Sequence, residues 1–212
     1  IFNAGGITRE NSNLKQENQN LLAEVASLQD AVKASEAINE VIQNTKLDKF
    51  QLVAAQSIGL DSANDFLLVN KGLQDGISEN MPVISSTKVV YGKVYKVYQN
   101  FSQVMLISGK QSVVDAKINN AEALQPPVLG AVKGLGNLSF YLDLVASNAQ
   151  LNQGDVLLTS GQEGIFPKDL LIGKITSVTK NDLQPFQTAK VQPLMDAKSA
   201  DNLFIITDYK KK

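Results

Sequence analysis

The chain has 212 residues, in which 20 Lys and Arg stand against 21 Asp and Glu for a formal net charge of −1. Lys210-Lys211-Lys212 is its one basic run, which is no footing for nucleic acid, and 43% hydrophobic residues are enough to bury a core and exclude wholesale disorder. Cysteine and histidine are both absent, which excludes disulfides, thiolate nucleophiles, Ser-His-Asp catalysis and His- or Cys-ligated metals.

The first residue is Ile1 rather than Met, so the chain reads as a fragment, and a targeting or membrane segment is expected ahead of it. No apolar run inside it reaches the roughly 18 residues of a membrane span. Between Ile7 and Ile58 there is no Gly or Pro, and Leu, Ala, Glu, Gln, Lys and Asn dominate. That is helical chemistry. Leu14, Leu21 and Leu28 recur at the seven-residue spacing of heptad position d, with Asn11, Asn18, Val25 and Val32 at position a. β-Branched residues at a and leucine at d favour a parallel two-stranded coil, and a buried Asn fixes its register. The predicted element is a coiled-coil helix over residues 1–49, dimerising through Leu14, Asn18, Leu21, Val25, Leu28 and Val32. If residues 8–46 are all helical, the rod is about 58 Å long. The competing reading is an amphipathic helix packed on its own domain.

After Gly59 glycines recur and β-branched residues take over, which is strand chemistry. Twelve strands are predicted, near 52–57, 65–70, 82–84, 89–97, 103–107, 113–118, 130–135, 138–144, 155–159, 171–179, 187–193 and 202–207. Alternation is plain at Val113, Asp115 and Lys117 against Val114, Ala116 and Ile118. Many short strands at this spacing point to barrels or sandwiches. Residues 121–127, with Pro126-Pro127, read as a linker or long loop. Gly134-Leu135-Gly136 is a bare GxG and reads as a turn. Asp61 and Asp65 lack the Gly and Glu of a calcium loop and read as turn residues too.

Three segments carry most of the information. The first is Val69-Asn70-Lys71-Gly72, then Asp75-Gly76-Ile77 and Met81-Pro82-Val83-Ile84. The second is Val90-Tyr91-Gly92-Lys93-Val94, then Ser102-Gln103-Val104-Met105-Leu106-Ile107. The third runs Gly154-Asp155-Val156-Leu157-Leu158-Thr159-Ser160-Gly161, then Gly164-Ile165-Phe166-Pro167 and Ile172-Gly173-Lys174-Ile175. The glycines suit turns that need positive φ. Ser160 has no G-x-S-x-G frame, since Leu158 occupies the first glycine position, and no histidine base. It reads as a turn residue, as Phe166-Pro167 reads as a packed turn.

Together these segments resemble the periplasmic part of MreC, the bacterial rod-shape family, over roughly residues 50–207. Asp169 stands where that family usually has glycine, and Tyr91 where it more often has a small apolar residue. The resemblance implies a mainly β fold: an N-terminal long coiled-coil helix followed by two small β-barrel-like domains, at 50–120 and 121–212, with the return of the last strands to the first left open. It implies a non-catalytic scaffold of the cell-elongation (peptidoglycan synthesis) machinery, anchored in the cytoplasmic membrane by an upstream helix and facing the periplasm. The implied partners are a second copy, with further self-association, a class B penicillin-binding transpeptidase, MreD and MreB. No cofactor or metal is implied. The family's motif turns would be Asn70, Gly72, Gly76, Gly92, Gly154, Asp155, Thr159, Ser160, Gly161, Gly164, Phe166, Pro167 and Gly173. Two other classes share parts of this architecture. A periplasmic adaptor of an efflux or secretion system would insert a two-helix hairpin between β halves, and this chain has one helical arm at its start. A two-barrel serine protease would need the missing histidine.

Overall fold

The computed structural model describes residues 13–26, 50–118, 126–181, 183–200 and 202–209. Residues 13–26 form a helix, exposed along its whole length. The rest of the predicted coiled coil, including Leu28 and Val32, lies outside the described residues, as does most of the 121–127 segment. No helix among the described residues is long and apolar enough to cross a membrane.

Among the described residues thirteen strands follow, in two assemblies: β1 Phe50–Ala55, β2 Ser57–Asp61, β3 Phe66–Val69, β4 Pro82–Ser85, β5 Val90–Val97, β6 Ser102–Leu106, β7 Val113–Ile118, β8 Val128–Gly136, β9 Ser139–Ala146, β10 Val156–Thr159, β11 Leu171–Thr179, β12 Phe186–Pro193 and β13 Leu203–Tyr209. Seven of them form a sheet in the order β1-β13-β4-β5-β6-β3-β2, and the other six close a barrel in the order β10-β11-β12-β9-β8-β7. Every hydrogen-bonded pair of neighbouring strands is antiparallel.

The sheet curls because its two edges are halves of one strand. Only Gln56 separates β1 from β2. At that kink Asn70 clamps the backbone: its Oδ1 accepts from the Gln56 N–H at 2.8 Å, and its own N–H donates to the Gln56 carbonyl at 3.1 Å. β2 is absent from the predicted strands, which end at residue 57 and resume at 65 across Gly59, a residue type that weakens strand interiors. Gly59 instead sits at a register shift in the β2–β3 pair, and strand glycines commonly mark such bulges.

Two strands cross the division that sequence reading drew at residue 120. β7 pairs with β8 and β10 in the barrel, and β13 pairs with β1 and β4 in the sheet. Hydrogen-bonding partners decide membership, and those of β7 all lie downstream. The alternation read in β7 holds: Val114, Ala116 and Ile118 are buried, whereas Val113 is exposed. Buried side chains of both assemblies belong to one core, with Leu67, Val104 and Ile205 in the sheet and Val132, Leu142 and Ile175 in the barrel.

Candidate functional site

The first and third motifs fold into turns held by backbone geometry, but Gly92, Thr159 and Gly173, expected at turns, lie within β5, β10 and β11, where the two glycines admit close packing instead. In the first, Gly72 lies so close to the β5–β6 turn that a Cβ would stand 2.4 Å from the Tyr98 carbonyl oxygen. Its N–H donates to the Asp75 carboxylate at 2.9 Å, and Lys71 pairs with the same carboxylate at 2.9 Å. Chiefly the Gly72 N–H, then Lys71, hold the Asp75 carboxyl below its ordinary value, against the opposing effect of burial. Gly76 closes the turn at φ +75°. Ser102 Oγ donates to the Lys71 carbonyl at 2.6 Å, tying the turn to β6.

Gly92, in the second motif, has no room for a side chain: a Cβ would lie 2.0 Å from the Met105 carbonyl oxygen across the β5–β6 pair. Its neighbour Tyr91 is buried, and the phenol donates to the Asp196 carbonyl at 3.0 Å.

The third motif builds one edge of the barrel. Gly154 turns at φ +97° into β10, and the Asn152 N–H donates to Asp155 Oδ2 at 2.8 Å. At the other end of β10, Thr159 is fully buried. Its hydroxyl donates to the Pro167 carbonyl and accepts from the Leu170 N–H at 3.0 Å. That pins both ends of the Phe166-Pro167 turn, in which both residues are buried. Gly161 and Gly164 sit at φ +78° and +71°. Ser160 Oγ accepts a long 3.4 Å hydrogen bond from the Gln162 N–H. Asp169 has φ +70°, a conformation that glycine adopts without strain, which is a physical reason for glycine at this position; its carboxylate pairs with Lys117 at 2.5 Å. A Cβ on Gly173 would lie 2.5 Å from Val191 Cγ1 and 2.7 Å from the Gln192 carbonyl oxygen.

The first motif makes its contacts within the sheet. The third reaches across to the sheet: Tyr209 of β13 donates to the Gly164 carbonyl, and the Leu171 N–H donates to the Lys88 carbonyl at 2.9 Å. Leu14, Leu21 and Val25, expected in a dimerisation seam, are 53%, 52% and 49% exposed on the helix, and Asn18 is exposed between them. Among the described residues, no group of three or more Asp or Glu side chains is placed to hold a metal ion.

Sequence reading gave Asp61 and Asp65 one role, and the structure gives them two. Asp61 caps its own turn, accepting from the Asn64 backbone N–H at 3.2 Å and from Asn64 Nδ2 at 2.8 Å. Asp65 is 2% exposed and accepts from Ser108, Asn137 and Leu138. No local spacing marks the difference, because its partners lie 43, 72 and 73 residues away.

Comparison with known proteins agrees with this architecture. The family model described as rod shape-determining protein MreC, barrel core, matches residues 57–207. The chain is 23% identical over 212 residues to the cell shape-determining protein MreC of Bacillus subtilis, an alignment covering 93% of this chain and 71% of that one. Among solved structures, MreC of Listeria monocytogenes superposes with a TM-score of 0.67 at 23% identity, over 96% of this chain and 99% of that one. A complex between penicillin-binding protein PBP2 and MreC from Helicobacter pylori matches with a TM-score of 0.58 at 19% identity, over 76% of this chain and 100% of that one. With the barrel core matched across both β assemblies, the chain belongs to the MreC family of rod shape-determining proteins.

Proposed function

We propose that this chain is a non-catalytic scaffold of the cell-elongation machinery, which binds a class B penicillin-binding transpeptidase through its β assemblies. The observation that carries this reading is the family match over residues 57–207, joined to a fold neighbour solved as a complex of MreC with a penicillin-binding protein. The motif residues fit scaffolding: Gly72, Gly92, Gly161 and Gly173 shape backbone, and Thr159 spends its hydroxyl on a turn. No histidine is available to Ser160 as a base, because the chain contains none, and the Ser160 Oγ accepts from the Gln162 N–H within its turn. The two β assemblies would act as separate binding units, with MreD and MreB as further members of the complex. A membrane anchor ahead of Ile1 would hold both units on the outer face of the cytoplasmic membrane.

The helix supplies dimerisation in this reading. Leu14, Leu21 and Val25 are exposed apolar residues on one described helix, at the heptad positions of a parallel seam. Two chains leaving one membrane run in the same direction, as such a seam requires. The test is sedimentation of wild type and Leu21→Asp over a concentration series, together with binding of each to a purified class B transpeptidase. Leu21→Asp should release monomers, since the dimer would bury an unpaired charge, while the β signal in circular dichroism persists and the monomer still binds the transpeptidase. Equal masses at every concentration would remove the helix from the interface. Failure of the wild-type protein to bind would remove the transpeptidase.

A further inference from the structure

Among the described residues, Asp65 carries the most deeply buried ionisable side chain, and the proposed function gives it no task. It sits at the mouth of β3, in the sheet, at 2% exposure. Its backbone has φ +57°, an unfavourable conformation for a residue with a side chain. Oδ1 accepts from Ser108 Oγ at 2.6 Å and from the Leu138 N–H at 2.8 Å, and Oδ2 accepts from the Asn137 N–H at 3.0 Å. Asn137 and Leu138 form the tip of the β8–β9 hairpin, both at positive φ, 54° and 57°. One side chain of the sheet thus holds the tip of a barrel hairpin by two backbone donors.

The surrounding backbone is shaped for this contact. The Gly136 N–H donates to the Ser108 carbonyl at 2.8 Å, and the Gly134 N–H to the Ser112 carbonyl at 3.1 Å. A Cβ on Gly134 would lie 2.0 Å from the Gly109 carbonyl oxygen, so only glycine lets β8 approach the β6–β7 connection this closely. The assemblies also touch through the isolated bridge between Val89 and Leu171 and through the Tyr209 hydroxyl on the Gly164 carbonyl. The chain itself crosses between them twice, from β6 to β7 and from β12 to β13.

We infer that Asp65 is a latch between the curled sheet and the barrel, setting their relative orientation by holding the β8–β9 tip in place. The energetic logic lies in the acceptor count. A buried carboxylate accepts all three bonds at once. An amide of the same shape presents an NH2 where the carboxylate presents Oδ1 or Oδ2, and a buried donor aimed at a donor costs more than a missing bond. The latch therefore needs the acid, and the barrel would pivot about the Val89–Leu171 contact when it opens.

The chain has no cysteine, so a spin-label pair can be placed cleanly at two exposed positions, Glu79→Cys beside the sheet and Lys190→Cys on the barrel. Labelled full-length chain, diluted into unlabelled protein, reports the sheet-to-barrel distance by double electron–electron resonance. Amide exchange at Asn137 and Leu138 is followed in parallel. Asp65→Asn should speed exchange at both amides by on the order of 10–100-fold and broaden the distance distribution. Ser108→Ala removes one donor and keeps the carboxylate, so it should give a several-fold rise and a smaller broadening. It also carries the test if Asp65→Asn fails to fold. Unchanged exchange in the folded variants would overturn the latch. Faster exchange with an unchanged distance distribution would overturn it too, because the tip would then fray without the assemblies moving.

Discussion

The curled sheet and the barrel solve the same problem, an unpaired strand edge, by different means. In the barrel β7 and β10 pair directly, so every strand has two hydrogen-bonded neighbours. In the sheet the first and last strands in order, β1 and β2, are joined end to end at Gln56. The barrel's strands run from residue 113 to residue 193, whereas the sheet recruits β13, at 203–209, from the far end of the chain. Closure by strands near in sequence is topologically cheap. Closure by a strand about 150 residues away must wait for both chain ends. Both assemblies use glycine in two ways. Gly72 and Gly92 in the sheet and Gly134 and Gly173 in the barrel permit close approach, whereas Gly76 in the sheet and Gly154, Gly161 and Gly164 around the barrel supply positive φ.

Deleting β13 should break this comparison most severely. Leu203, Phe204, Ile205 and Ile206 are each no more than 1% exposed. At about 1.5–3 kcal/mol per buried side chain, their loss is comparable to the roughly 5–15 kcal/mol that holds a domain folded. The truncated chain should lose amide protection throughout β1, β4 and β5 while the barrel strands stay protected. Uniform loss across both assemblies would show that the barrel has no stability of its own.

Gly92→Ala comes next. The added carbon meets a backbone carbonyl rather than a movable side chain, so the β5–β6 pair must separate, at a cost of about 3 kcal/mol or more. Gly161→Val tests the positive-φ kind of glycine and should cost about 1–3 kcal/mol, through strain at that backbone conformation. Denaturant melts of the two variants measure both. A Gly92→Ala midpoint equal to wild type would mean that the strands have slack which the structure does not show.

The smallest effect concerns acid. The Asp75 carboxyl is depressed in the folded state below its ordinary 3.8, first by the Gly72 N–H and then by Lys71. A depressed folded value stabilises above the unfolded value and loses that stabilisation as pH falls through the folded one. Melting midpoints should therefore fall as pH drops below about 3.8, and Asp75→Asn should make that fall shallower while lowering the midpoint slightly at neutral pH. The effect is small because the pair with Lys71 is about a third exposed and screened. Equal slopes for both proteins would assign the acid response elsewhere.

Much of the β region was legible from local pattern. The alternation in β7 and the glycine-framed turns at 70–76 and 154–164 show in the residues, because each is decided within a few positions. β2 was not, because a glycine at a bulge and a glycine at a break look the same in sequence. The membership of β7 was hidden for another reason: its own pattern says which face is buried and nothing about which strands will flank it.

By itself, then, the sequence determined the class of chemistry and the local geometry: no histidine or cysteine for catalysis, strands with one buried face, and glycines where backbone must turn or approach. These follow from residue types and short spacings. Only the tertiary structure decided that β13 closes the first sheet, that Asn70 clamps the kink at Gln56, and that Asp65 differs from Asp61. The physical reason is distance along the chain. A carboxylate looks the same in sequence whether its donors lie three residues away, as for Asp61, or 73, as for Asp65, and folding alone brings the distant donors to it.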